Sequence, residues 1–141
     1  PGVADPGHHL VMRAQQEGIK VIPHVGPSSI LLTLMASGLN GQHFTFHGYL
    51  AKDDKDRAEQ FKKMIKRWRT SGETHLFMDT PFRNMELYKE VLRVLPSEFS
   101  LCVARDITGP RQWIKTKSIG QWRKGKAPEI HKVPVMFAIG H

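Results

Sequence analysis

Apolar positions along the chain recur with one of two periods, and the period changes from segment to segment. Between Asp53 and Arg69 they fall at Ala58, Phe61, Met64, Ile65 and Trp68, spacings that draw one stripe along a charged helix. Met85, Tyr88, Val91, Leu92 and Leu95 form a similar stripe, with Pro81 suited to the first helical turn and Pro96 ending the helix. His8 to Glu17 reads as a short amphipathic helix closed by Gly18. Alternation takes over where Phe44, Phe46, Gly48 and Leu50 interleave with Thr45, His47 and Tyr49, a half-buried strand, and again from Gln112 to Ile119. Lys20–Val25, Thr74–Met78, Leu101–Ile107 and Pro134–Ile139 are short apolar runs that predict further strands. Gln121 to Lys126 predicts a short helix or turn. From Phe44 onward the order is β-α-β-α-β-β-(α)-β, and its hairpin demands antiparallel pairing, so this part is expected to be α+β with a mixed sheet.

Before Phe44 the pattern differs. The strand that ends at Val25 runs into Gly26-Pro-Ser-Ser29, and a helix follows to Ser37-Gly38. Pro27 suits a first turn, Ser28 or Ser29 can cap free N–H groups, and Gly38 fits a left-handed stop. A strand-to-helix turn of this kind, at the carboxyl end of a strand, is where open α/β sheets bind ligands. Leu39 to His43 reads as a loop suited to an inter-domain hinge.

Composition narrows the partners. The chain has 141 residues, 40% of them hydrophobic and 24% charged, with a net charge of +8. That excess of positive charge favours polyanions such as RNA, and the basic residues cluster in Lys52–Arg69 and Arg111–Lys126. The longest apolar run, Ile30–Ala36, is far shorter than the roughly 18 residues needed to cross a membrane. The single cysteine, Cys102, sits in a strand pattern and is expected to be a buried small hydrophobe, in keeping with a reducing cytoplasm. His43 and His47 have the spacing of helical metal ligands but lie in a strand pattern without nearby cysteine, so no metal site is expected. Trp68 belongs to a helical stripe, whereas Trp113 and Trp122, with basic neighbours, are open to base stacking.

Six stretches together resemble the tetrapyrrole (corrin/porphyrin) methylase superfamily, and within it the branch that 2′-O-methylates small-subunit ribosomal RNA. Pro1-Gly-Val-Ala-Asp-Pro-Gly7 is similar to the end of that branch's AGTPxxSDPG signature, Val25-Gly-Pro-Ser-Ser29 to PGPSA, and Ala36-Ser-Gly-Leu39 to ASGL. Phe46–Leu50 is similar to FxGFL, Asp79-Thr-Pro-Phe-Arg83 to ESPHR, and Val103–Thr108 to VARELT. The resemblance implies that residues 1–40 are the C-terminal remnant of a parallel α/β domain that binds S-adenosylmethionine, and that residues 41–141 form the α+β domain. It also implies a homodimer, a cofactor held between the two domains, and a chain that is the C-terminal part of a longer protein and does not catalyse by itself.

By the same resemblance Val3, Ser28, Ser29, Asp79 and Ile107 match cofactor-binding positions. Asp79 and Asp106 stand where the RNA branch has Glu, one methylene longer. Arg83 and Arg105 flank these acids; each could hold a phosphate or a tetrapyrrole carboxylate, or form an ion pair, Arg105 with Asp79 or Arg83 with Asp106. Transfer of a methyl group from a sulfonium rests on positioning more than on covalent help, so no catalytic dyad is expected and no base is nominated. The function expected is methyl transfer to ribosomal RNA; a tetrapyrrole acceptor, or a non-catalytic RNA- or ribosome-binding paralogue, are the alternatives.

Overall fold

The computed structural model describes residues 3–141, so Pro1 and Gly2, which open the first of the six stretches, lie outside the described residues. The elements are α1 (His8–Gln16), α2 (Ser29–Ser37), β1 (Phe44–Tyr49), α3 (Asp54–Ser71), β2 (Thr74–Met78), α4 (Asn84–Val94), β3 (Ser100–Arg105), β4 (Trp113–Ser118), α5 (Ile119–Lys124) and β5 (Val135–Gly140). The strands form one mixed sheet in the order β1-β2-β5-β3-β4. β1 and β2 are parallel, and β5 runs antiparallel between β2 and β3. The expected hairpin is present as the antiparallel pair β3–β4.

The two sheet faces are covered unequally. On one, Phe77, Leu101, Val103, Phe137 and Ile139 meet Phe61 and Met64 of α3, Leu87, Tyr88 and Val91 of α4, and Ile119 and Trp122 of α5. The smaller cluster on the other face joins Leu76, Cys102, Ala104, Met136 and Ala138 to Leu34 of α2. Cys102 is fully buried, and burial pushes its thiol pKa up. Helix ends follow local chemistry. Asp53 caps α3 through the backbone N–H groups of Lys55 and Asp56, Ser118 and Gln121 form a capping box on α5, and Gly38 closes α2 at φ 72°.

Three expectations need correction. Lys20–Val25 forms no strand: no neighbouring strand offers a ladder, and Ile22 and Val25 are exposed. Pro81 lies in a turn ahead of α4 rather than in its first helical turn, because α4 starts at Asn84. Pro27 precedes the α2 cap Ser28, whose side chain makes no capping hydrogen bond. Among the described residues no helix is long and apolar enough to cross a membrane.

Candidate functional site

Because β1, β2 and β3 point the same way, their carboxyl ends share one rim of the sheet, where β5 enters. A cavity of about 320 Å³ opens there on the face covered by α2. Met78, Ala104, Ile107 and Met136 give it apolar walls, Tyr49 and Pro134 border it, and Ser29 reaches it from the first turn of α2. Two carboxylates, Asp79 and Asp106, complete the lining. Asp79 accepts from the Thr80 N–H at 2.7 Å and pairs with Arg83 at 3.2 Å. Asp106 accepts from the Arg111 N–H at 2.8 Å, and its own N–H donates to the Pro134 carbonyl at 2.9 Å, tying the end of β3 to the start of β5.

The turn after β3 explains why Asp106 departs from the VARELT pattern that its stretch resembles. Asp106 has φ 50°, in the left-handed region that Asp tolerates better than Glu. Gly109 donates to the Asp106 carbonyl at 2.8 Å, and a Cβ on it would overlap the Asp106 carboxylate. The shorter acid and the glycine therefore belong to one compact turn.

Of the residues singled out in the sequence, Ser29, Asp79 and Ile107 meet in this cavity. Ser28 is the α2 cap residue and is not on the lining, nor is Val3, which is 69% exposed. Both expected ion pairs are replaced. Arg83 meets Asp79, one helical turn away in sequence, and Asp106 is approached by Arg111 at 3.9 Å. Arg105 instead donates to the carbonyls of Arg111 and Glu129, at 3.2 and 2.9 Å, on the opposite face. The lining residues that the sequence did not single out, Tyr49, Met78, Ala104, Pro134, Val135 and Met136, all lie within predicted strands, which was their one signal.

A second polar cluster lies at the other end of the sheet. The His75 Nε2–H donates to the Met64 carbonyl at 3.1 Å, which assigns its Nδ1 as acceptor of the His47 Nε2–H at 3.0 Å. Burial and the neighbouring His47 drive the His75 pKa down to about 4, and burial lowers that of His47. Burial alone would raise the Glu73 pKa, yet it is held below the ordinary value by the Thr45 hydroxyl, His75, Arg67 and His43. His43, His47, Lys63, Arg67 and Glu73 border a groove of about 780 Å³ between β1 and α3. Among the described residues, no three or more His, Cys, Asp or Glu side chains are placed to hold a metal ion.

No protein-family model matches the chain. It is 36% identical, over 77% of its length, to the Vibrio cholerae protein named Ribosomal RNA small subunit methyltransferase I, of which it covers 36%. Proteins of the same name from Pasteurella multocida and Escherichia coli O157:H7 are 29% and 28% identical over 99% and 100% of the chain, which covers 49% of each. The chain thus spans about half the length, or less, of the curated relatives it matches. Among solved structures, the methyltransferase CobJ superposes on 95% of the chain with a TM-score of 0.55 at 16% identity, the match covering 56% of CobJ. An Entamoeba histolytica protein assigned as a diphthine synthase superposes on 97% of the chain with a TM-score of 0.59 at 17% identity, the match covering 60% of that protein. At these identities the structural likeness is one of fold.

Proposed function

We propose that the chain belongs to the tetrapyrrole methylase superfamily and is part of an S-adenosylmethionine-dependent methyltransferase that 2′-O-methylates small-subunit ribosomal RNA. One observation carries the reading. Ser29, Asp79 and Ile107, three residues drawn from three separate stretches of the resemblance, border one cavity at the strand ends.

The donor set suits the cofactor. Met78, Ala104 and Met136 offer an apolar floor for a purine, while Asp79 and Asp106 can accept from ribose hydroxyls or an ammonium group. Ser29, with the free N–H groups at the start of α2, suits a carboxylate. When bound, S-adenosylmethionine supplies an already activated methyl group. The chain's residues then have to orient it, and Arg83 helps by fixing the Asp79 carboxylate. The net charge of +8 and the names of the relatives support RNA as acceptor. We further read residues 1–40 as the C-terminal remnant of the cofactor-binding α/β domain and residues 41–141 as the second domain, in a cytoplasmic homodimer.

Calorimetry of S-adenosylmethionine binding to the whole protein tests the site. Ser29→Leu should weaken affinity at least about tenfold, roughly 1.4 kcal/mol, and Ser28→Leu far less. A folded Ser29→Leu variant with unchanged affinity would sink the assignment. Tritiated methyl groups should appear in small-subunit ribosomal RNA; their appearance in a corrin or porphyrin instead would replace the acceptor.

A further inference from the structure

Arg105 and Asp106 are neighbours in sequence, but they serve opposite faces of the sheet. Asp106 lines the cavity described above, whereas Arg105 borders a shallow groove of about 240 Å³ on the face covered by α4 and α5. Trp113, Lys117, Trp122, Lys126 and Glu129 also line that groove. Trp122 is core: it is buried, and its indole N–H donates to the Leu101 carbonyl at 2.8 Å. Trp113 is half-buried and stands edge-on against Trp122, with ring centroids 6.2 Å apart. Its ring is braced from below and still contributes to the wall of the groove.

Each of the two indoles has a cation beside it. The Arg105 guanidinium lies 6.0 Å from the Trp113 centroid, and the Lys117 ammonium 4.9 Å from that of Trp122. Two backbone carbonyls hold Arg105 in place and leave three of its five N–H donors unused. Among the described residues no carboxylate pairs with Arg105 or Lys117. Glu129 is the only acid on the groove against Arg105, Lys117 and Lys126, so the lining keeps a net charge of +2.

We propose that this groove binds an unpaired nucleotide of single-stranded RNA, with the base stacked on Trp113 and the adjoining phosphate held by Arg105, Lys117 and Lys126. A planar base joined to a phosphate matches a flat indole beside a rigid guanidinium; an acidic peptide would satisfy the charges and leave the ring unused. Groove and cavity share the end of β3, so a strand anchored on Trp113 passes round that rim to the cavity. The inference rests on the RNA reading above and adds to it a second contact, away from the methyl-transfer site.

Fluorescence anisotropy of the whole protein with a labelled single-stranded oligoribonucleotide, over a range of salt, is the test. Trp113→Leu keeps an apolar contact with Trp122 and removes the stacking surface; affinity should fall about tenfold at unchanged salt slope, while Trp113→Phe stays within about threefold of the parent. Lys117→Gln should reduce the salt slope by about one. The stacking site is overturned if a folded Trp113→Leu chain binds as the parent does, or if duplex RNA or an acidic peptide binds as tightly as the single strand. It is overturned equally if free adenosine monophosphate saturates the groove as readily as the oligonucleotide. Should Trp113→Leu fail to fold, Lys117→Gln decides, and an unchanged salt slope overturns the proposal. RNA binding that ignores Trp113 removes this site alone; a parent protein that binds no RNA at low salt removes the RNA reading itself.

Discussion

His75 is fully buried with both ring nitrogens engaged, and it is held neutral in the folded chain. Its pKa of about 4 lies below the value of 6.5 for an unfolded chain, so between those pH values the unfolded state binds more protons. The stabilisation is complete above about pH 6.5 and fades as the pH falls toward 4, a loss of roughly 3 kcal/mol. The lowered pKa values of His47 and Glu73 act in the same direction. Urea midpoints should therefore drop steadily from pH 7 to pH 4, and midpoints that stay level down to pH 4.5 would contradict this. The sequence hid the cluster because Thr45 and His47 alternate with Phe44 and Phe46 as a solvated face would. They lie instead beside Glu73 and His75, and the left-handed Gly48, at φ 65°, shifts the register so that Leu50 joins the core. The partner of Asp106 was illegible for a related reason: Arg111 reaches it through the turn that follows β3, and no periodicity encodes that turn.

Strands with a partner were readable; the apolar run without one was not. Thr74–Met78 was expected as a strand and is one, and α3 starts where Asp53 can cap it, because both follow from side-chain period and local hydrogen bonding. Lys20–Val25 has the same apolar character, but a strand is completed by its neighbours, which sequence alone does not supply. Between α3 and α4 the period also concealed a charge pair. Arg57, on the buried side of α3, donates to Glu90 of α4 and to the Ala51 and Lys52 carbonyls, at 2.9 and 3.0 Å. Both side chains of the pair are about 10% exposed. Removing Arg57 leaves the buried Glu90 carboxylate only the exposed Arg93, 3.9 Å away, so Arg57→Met should cost up to about 3 kcal/mol in urea unfolding. Adding Glu90→Leu should restore much of the loss. A single variant as stable as the parent would show that the pair is inert.

At the scale of the molecule, cavity and groove both depend on the strand that fills the middle of the sheet. All six residues of β5 are buried, and β5 pairs with β2 on one side and β3 on the other. The β1–β2 pair and the β3–β4 hairpin have no other strand between them. A chain that stops at Val133 should show no cooperative thermal transition and no near-ultraviolet circular dichroism; retention of both would mean that the two halves close without β5. The same order has a consequence in time. Synthesis at about 5–20 residues per second delivers β5 after every other element, so until then β2 and β3 each present an unpaired edge. Closure of the sheet waits on pairings distant in sequence, which slows folding and lengthens the interval in which a nascent chain can pair with the wrong partner or be held by a chaperone.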